Sequence, residues 1–505
     1  MDVEALSRMQ FAVTTIYHYF FVPLSISLAL LTALLQTAHH RAHPRTGEER
    51  WGRLSLLTGK ILMITFAVGV VTGLVQEFQF GLSWSAFARF YGDVFGPTLA
   101  VEGMLAFFLE ATFLGLWWFG RDRLPARVHL ATIWIVAVGT TISAFVILSA
   151  NSFMQNPVAY TLDPETGRAR LGSFADLLLN EVNLAAFPHT MSGALMAGGA
   201  LVLAVGLHHL RRSPAGTDRD AFRSLARLGA WTTLVGGAGT AITGDVLGKV
   251  ITAVQPMKMA AAEALYSTTG SAPFSLFAYA PPGQAKPTWA VEIPGLLSFL
   301  ATGSFTAPVQ GLADLQSSYE QRYGPGNYMP WVPVQFWTFR LMIGVGMLAA
   351  AIALVFLVVS YRRRWVPARV LAHPALSPVT ERGRRILGRA AFLGVVLLPG
   401  LPLAANSLGW IFSENGRQPW LVFGLFRTAE GVSPGTTAGE LVVSILGFTL
   451  LYGILAVVWL RLLTHLVRAG LPELPDPRRD DDAPGPGTGS SATPAPAAAV
   501  GPLSY

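Results

Sequence analysis

Residues 95–120 decide how the chain is read, and the middle of that stretch runs Ala100-Val101-Glu102-Gly103-Met104-Leu105-Ala106-Phe107-Phe108-Leu109-Glu110. Apart from Glu102 and Glu110 the stretch has no ionisable side chain, and it is longer than the roughly 20 residues that carry a helix across a bilayer. Working outward, the stretches 10–37, 54–76, 128–150, 185–209, 228–244, 336–360, 387–410 and 439–461 have the same apolar character. The sixth in chain order, 228–244, is the weakest because Gly and Thr interrupt it. The expected fold class is an all-α polytopic membrane bundle with nine transmembrane helices. Composition agrees: of 505 residues, 52% are hydrophobic and 13% charged, with a mean hydropathy of +0.47. That charged share is about half of what a soluble chain carries.

The formal charge of +7 invites a nucleic-acid partner, but the placement of the charges argues against one. Of the 36 basic residues only Lys60, Lys249, Lys258 and Lys286 are lysines, and 24 fall in the segments 38–53, 121–127, 210–227, 361–389 and 461 onward. These alternate with segments poorer in Arg and Lys, which is the positive-inside pattern of a chain with its N-terminus outside and its C-terminus in the cytoplasm. The start, Met-Asp-Val-Glu, lacks the basic region of a cleaved leader, so the first span is expected to persist as a helix. Two segments stand apart. Residues 245–335 make an outer loop far longer than an ordinary connection, and such loops are usually functional. Residues 468–505 read as a disordered Pro-, Ala- and Gly-rich cytoplasmic tail; residues 1–467 are the bundle. No internal repeat is visible. Without cysteine, disulfides, iron–sulfur clusters and thiol catalysis are excluded.

Eight histidines (His39, His40, His43, His129, His208, His209, His373 and His465) fall at inner helix ends or loops and are expected to be solvated or interfacial. His18 and His189 instead lie inside the first and fifth spans, at similar depth in the outer half. They read either as buried histidines bonded to neighbouring helices or as ligands. Glu102 and Glu110 must find a partner, a proton or an aqueous path inside the bilayer. Eight residues apart on a regular helix they share a face, so they read either as a proton relay or as two acids bonded to other helices. Met342 enters the seventh span at the depth of the two histidines. Met there is ordinarily packing, but His, Met and a carboxylate at one level suit haem iron. Glu414 and Arg417, just past the eighth span, read as an interfacial ion pair. The residues taken alone indicate a redox-cofactor bundle and stop there.

Seven blocks carry a resemblance: Leu6-Ser7-Arg8-Met9-Gln10-Phe11-Ala12; His18 with Phe20-Phe21-Val22-Pro23; Gly73-Leu74-Val75-Gln76-Glu77-Phe78-Gln79-Phe80-Gly81; Glu102-Gly103 through Glu110; Met154-Gln155-Asn156-Pro157; Phe339-Arg340-Leu341-Met342; and Gly416-Arg417-Gln418-Pro419-Trp420. In this order they resemble subunit I of the cytochrome bd-type quinol oxidases, of the short quinol-loop kind. The resemblance implies a multi-pass subunit of the bacterial plasma membrane that oxidises quinol at the outer face and reduces O2 to water with cytoplasmic protons, without pumping. It implies three haems, a low-spin haem b, a high-spin haem b and haem d. His189 and Met342 match the low-spin ligands with Arg340 close by. His18 matches the ligand of haem d and Glu414 that of the high-spin haem b, with Arg417 beside it. Glu102, Glu110 and Ser143 match the proton path, and Lys258 and Glu263 the quinol contacts. Ala111 departs from members that carry Ser after the second Glu. A homologous membrane subunit II and a small single-helix subunit are the implied partners. The competing readings are a cyanide-insensitive relative with b haems only, a proton-coupled transporter working through Glu102 and Glu110, and a subunit that anchors a redox partner.

Overall fold

The apolar runs fold as helices that extend past the stretches able to lie in lipid. The computed structural model describes residues 2–46, 48–212, 216–279, 288–365 and 393–474. Among these, nine helices are long and apolar enough to cross a membrane. They are α1 (Val3–Thr46), α2 (Arg50–Leu82), α3 (Ser85–Phe119), α4 (Ala126–Gln155), α5 (Glu181–Leu210), α6 (Thr217–Val254), α8 (Val332–Trp365), α9 (Leu393–Arg417) and α10 (Ala438–Ala469), with the short α7 (Pro256–Ala262) between α6 and α8. Three two-stranded antiparallel hairpins are added to this helical fold, β1 (Tyr160–Leu162) with β2 (Ala169–Leu171), β3 (Phe274–Tyr279) with β4 (Trp289–Ile293), and β5 (Trp420–Val422) with β6 (Phe426–Arg427). All three lie in connections at one end of the bundle, here the loop end. The arginine-rich connections lie at the other.

Most helices run past the expected ends, and two of these shifts bear on polar residues. The sixth helix does not stop at 244: Lys249 Nζ pairs with Asp245 Oδ2 one turn back (2.6 Å), so the polar residues continue the helix to Val254. The eighth runs on through Arg417, which puts Glu414 and Arg417 in its last turn rather than past its end. The expected tail 468–505 begins inside α10, and residues 475–505 lie outside the described residues, as do Lys286, His373 and most of the arginine-rich segment 361–389.

Residues Met1–Pro472 form one compact unit. In lipid there is little hydrophobic drive between helices, so close approach through small residues becomes the main attraction. At the crossing of α5 and α6, Gly199 meets Gly229 and Thr233, and Gly206 meets Ala226, with backbone nearly touching backbone. On the other side, Leu24, Leu28 and Leu31 of α1 pack against Leu54, Leu57 and Ile61 of α2. α10 joins this core through Trp459, edge-on to Phe20 and Phe21, its Nε1 donating to Thr65 Oγ1 at 3.2 Å.

Two histidines are not solvated as expected. His129 is buried between Gln36 Nε2 (2.8 Å) and the Trp117 carbonyl (2.7 Å), and Trp117 Nε1 donates to Gln36 Oε1 (2.6 Å). His209 is buried against Phe222 and donates to the Val467 carbonyl (2.6 Å). Cross-helix partners draw these interfacial positions into the interior.

The glycine crossing yields a stability prediction. A Cβ at Gly199 would sit 2.6 Å from Thr233 N and 2.9 Å from the Gly229 carbonyl, backbone atoms that cannot turn aside. Gly199→Ala should therefore lower stability by about 1–3 kcal/mol. Gly344→Ala on α8, with nothing within 4 Å, should be near neutral. Thermal unfolding of the two purified variants in detergent checks this.

Candidate functional site

His18 is carried by α1 and turned toward α2. Its Nδ1 lies 3.1 Å from Thr72 Oγ1, and a Cβ on Gly73 would come within 3.0 Å of its Cε1. His189 on α5 faces α6 in the same way, with Nδ1 3.3 Å from Thr243 Oγ1 and the Gly244 position 3.2 Å from Cε1. Among the described residues no hydrogen bond engages Nε2 of either ring. Met342 on α8 points at α9, where a side chain at Gly409 would stand 3.0 Å from its sulfur. Free imidazole nitrogens and a thioether, each side chain seated where a glycine leaves it room, are donors that fit a haem in a protein without cysteine.

Glu102 opens a π-helical turn, Glu102–Phe107, within α3. The eight-residue offset of a regular helix therefore does not describe the angle between Glu102 and Glu110. π-Turns inside α-helices gather at functional positions. Ser143 Oγ of α4 donates to Glu102 Oε1 at 3.2 Å, so the structure joins these two residues as a pair. Glu110 is buried, and its Oε1 has no partner among the described residues.

The loop end holds a chain of bonds that sequence reasoning missed. Lys258 Nζ, on α7, donates to Gln155 Oε1 at 2.7 Å. Gln155 Nε2 donates to Asn151 Oδ1 at 2.7 Å, and Asn151 Nδ2 to Glu414 Oε1 at 3.0 Å. The other Glu414 oxygen takes a hydrogen bond from Arg417, whose Nε donates to the Trp420 carbonyl at 3.2 Å. Gln155 stands in a motif already singled out, Met154-Gln155-Asn156-Pro157, and Asn151 lies one turn before it; that i, i+4 spacing was the available signal. Beside Lys258 a small cavity is lined by Gln255, Tyr319, Arg417 and Trp420. Gln255 Oε1, Arg417 Nη1 and Trp420 Nε1 are buried there without partners among the described residues.

Lys258 and Glu263, on the same short helix, are bonded to different partners. Glu263, at the end of α7, pairs with Arg340 of α8, with Oε2 2.5 Å from Nη2 and Oε1 3.2 Å from Nη1. Arg340 Nε also donates to the Ser275 carbonyl of β3 (2.6 Å), and its guanidinium lies 4.3 Å from the Phe274 ring centre. Burial pushes the Glu263 carboxyl up, opposed by Arg340. Burial, with the Arg417 guanidinium adding to it, pushes Lys258 down from 10.5 to about 7.

A membrane bundle with these donors is suited to carrying haem for electron transfer. Comparison with known proteins narrows it. The family model of the cytochrome bd terminal oxidase subunit I matches residues 6–471. The chain is 39% identical over 472 residues to cytochrome bd ubiquinol oxidase subunit 1 of Bacillus subtilis (strain 168), covering 93% of this chain and 94% of that one. It is 33% identical to cytochrome bd-II ubiquinol oxidase subunit 1 of Escherichia coli (strain K12), covering 93% and 97%. The solved structure of bd oxidase from Geobacillus thermodenitrificans superposes with a TM-score of 0.77 at 27% identity, covering 93% of this chain and 99% of that one. The chain belongs to the cytochrome bd terminal oxidase subunit I family. It is an integral membrane, haem-binding enzyme of the quinol oxidase class.

The lysine carries a pH prediction. Lys258 loses its proton near pH 7 when folded but near 10.5 when unfolded, so between these values the unfolded chain binds more protons. Its contribution to stability is then lowest below pH 7 and rises with pH through that window. Lys258→Met should raise the thermal midpoint below pH 7 and flatten the alkaline rise. Unfolding scans of both proteins at pH values on either side of 7 check this.

Proposed function

We propose that this subunit carries the whole catalytic path of a terminal respiratory oxidase in a bacterial plasma membrane. It takes electrons from membrane quinol at the loop end, which faces outward with the N-terminus, and reduces O2 to water with protons drawn from the arginine-rich cytoplasmic end. The observation that carries this reading is the bonded chain from Lys258 through Gln155 and Asn151 to Glu414, which links the long loop with the interior of the bundle.

In this reading His189 and Met342 hold a low-spin haem b, His18 holds haem d, and Glu414 a high-spin haem b with Arg417 next to it. Bound haem supplies one-electron transfer and oxygen binding. The protein's own residues manage protons and position. Lys258, which is neutral in part near pH 7, accepts or orients a hydroxyl proton of the quinol, as a group with a pKa near the working pH does best. Glu263, fixed by Arg340, orients the second hydroxyl and ties the loop to α8 two residues from Met342. Glu110, with its free buried oxygen, and Glu102, bonded to Ser143, are stepping sites for protons crossing from the cytoplasmic side. Charge is separated because quinol protons leave outside while the consumed protons enter from inside. The outer loop, 245–335, is of the short kind and forms the quinol site through α7 within it. A homologous subunit II and a small single-helix subunit complete the enzyme.

A second reading, b haems only, rests on the same ligands, so the haem complement separates the two. A pyridine haemochrome spectrum of the purified complex should show a chlorin band beside protohaem; its absence favours the all-b relative. His189→Ala should abolish the low-spin bands in the reduced-minus-oxidised spectrum, and an unchanged spectrum would refute the assignment. Lys258→Ala and Glu263→Ala should each slow quinol oxidation on the order of 10²-fold with normal haem content. Full turnover with quinol in both variants would remove them from the site.

A further inference from the structure

His18 and His189 sit in cradles built to one plan. Each imidazole lies on the first helix of an adjacent pair, α1 with α2 and α5 with α6. Each presents Nδ1 to a threonine exactly 54 residues later in the chain, Thr72 or Thr243. Each threonine is followed by a glycine whose absent side chain leaves room for Cε1, at 3.0 Å for Gly73 and 3.2 Å for Gly244.

The hydroxyl geometry fixes the direction of the bond. Thr72 Oγ1 spends its single proton on the carbonyls of Val68 (3.0 Å) and Gly69 (2.9 Å), and Thr243 Oγ1 spends its own on the Gly239 carbonyl (2.6 Å). A hydroxyl whose proton is committed can only accept, so the proton between it and the imidazole belongs to Nδ1. Each neutral ring is then the Nδ1–H tautomer with a bare lone pair on Nε2, the nitrogen that no group among the described residues engages.

We infer that Thr72 and Thr243 are positioning residues that hold His18 and His189 in the tautomer and ring orientation needed to bind iron through Nε2. The inference rests on the reading of these histidines as haem ligands. A ligating imidazole normally donates its other N–H to an acceptor, which raises its basicity, and loss of that acceptor typically weakens binding 10–100-fold. The same part is built twice, once at each proposed histidine ligand, and a threonine serving only its own helix would not need an imidazole on its outer side.

The test uses the assembled oxidase purified with its partner subunits. Thr243→Val removes the acceptor at nearly constant volume. It should raise the midpoint potential of the low-spin haem, because a less basic imidazole stabilises the ferric form less, and should weaken haem retention on detergent washing by 10–100-fold. Thr243→Ser should restore both values. Thr72→Val should shift the high-spin signals and leave the low-spin potential at the parent value. If the Val variants do not assemble, Thr→Ala at the same positions carries the same expectations. Parent-like potential and haem retention in the acceptor-less variants, alongside loss of the low-spin bands in His189→Ala, would overturn the positioning role and leave the ligand reading standing. Unchanged low-spin bands in His189→Ala would overturn the ligand reading and this inference with it.

Discussion

A polar group taken into hydrocarbon must be partnered within the protein, since no water is there to bond it. The interior of this bundle is organised around that constraint. Thr32, Thr58 and Ser55 bond among themselves and to backbone carbonyls between α1 and α2. Gln36, His129 and Trp117 close a ring of bonds near the arginine-rich end. Where bonding among the described residues is incomplete, several of the free atoms fall at positions read as functional: Glu110 Oε1, Arg417 Nη1, and Gln255 Oε1 beside Lys258. A buried donor or acceptor left free costs about 1–3 kcal/mol, and a charged one more. A fold that keeps such atoms has a use for them or a further group to fill them.

The nine helices were legible because an apolar run of membrane length has few alternatives in water or lipid. Their ends were not, because the segments beyond the lipid are stabilised by local pairs such as Asp245 with Lys249, which hydropathy cannot see. The hairpins in the connections escaped notice for a related reason: strands as short as Tyr160–Leu162 and Ala169–Leu171 are too short to show an alternating pattern. His129 and His209 were misjudged because burial there comes from residues distant in the chain, Gln36 and Val467 among them.

For the site, the charged and ligand-type residues stood out since each is unusual inside an apolar run. The uncharged ones that hold them did not. Asn151, Gln155, Thr72 and Thr243 belong to residue types that commonly bond only to their own helix, and their role emerges once the facing helix is placed. One signal did exist in the sequence. The equal spacing of His18 to Thr72 and His189 to Thr243, each threonine followed by glycine, repeats with no wider similarity around it, so a search for long repeats passes over it.

The short helix α7 is where these lines meet. Lys258 near its start is bonded into α4 and stands by Arg417 of α9, while Glu263 at its end is bonded to Arg340 of α8. A buried ion pair such as Glu263 with Arg340 contributes little net stability, because desolvation offsets most of the attraction; what it supplies is a fixed geometry, since either partner alone would be strongly unfavourable. The Lys258 and Glu263 anchors therefore hold α7 in register with three spanning helices at once, α4, α8 and α9. Two of these, α8 and α9, carry Met342 and Glu414. A shift of the loop large enough to change the environment of Lys258 must disturb the bond of Asn151 to Glu414 or be absorbed by Gln155, whose amide is bonded directly to both Lys258 and Asn151.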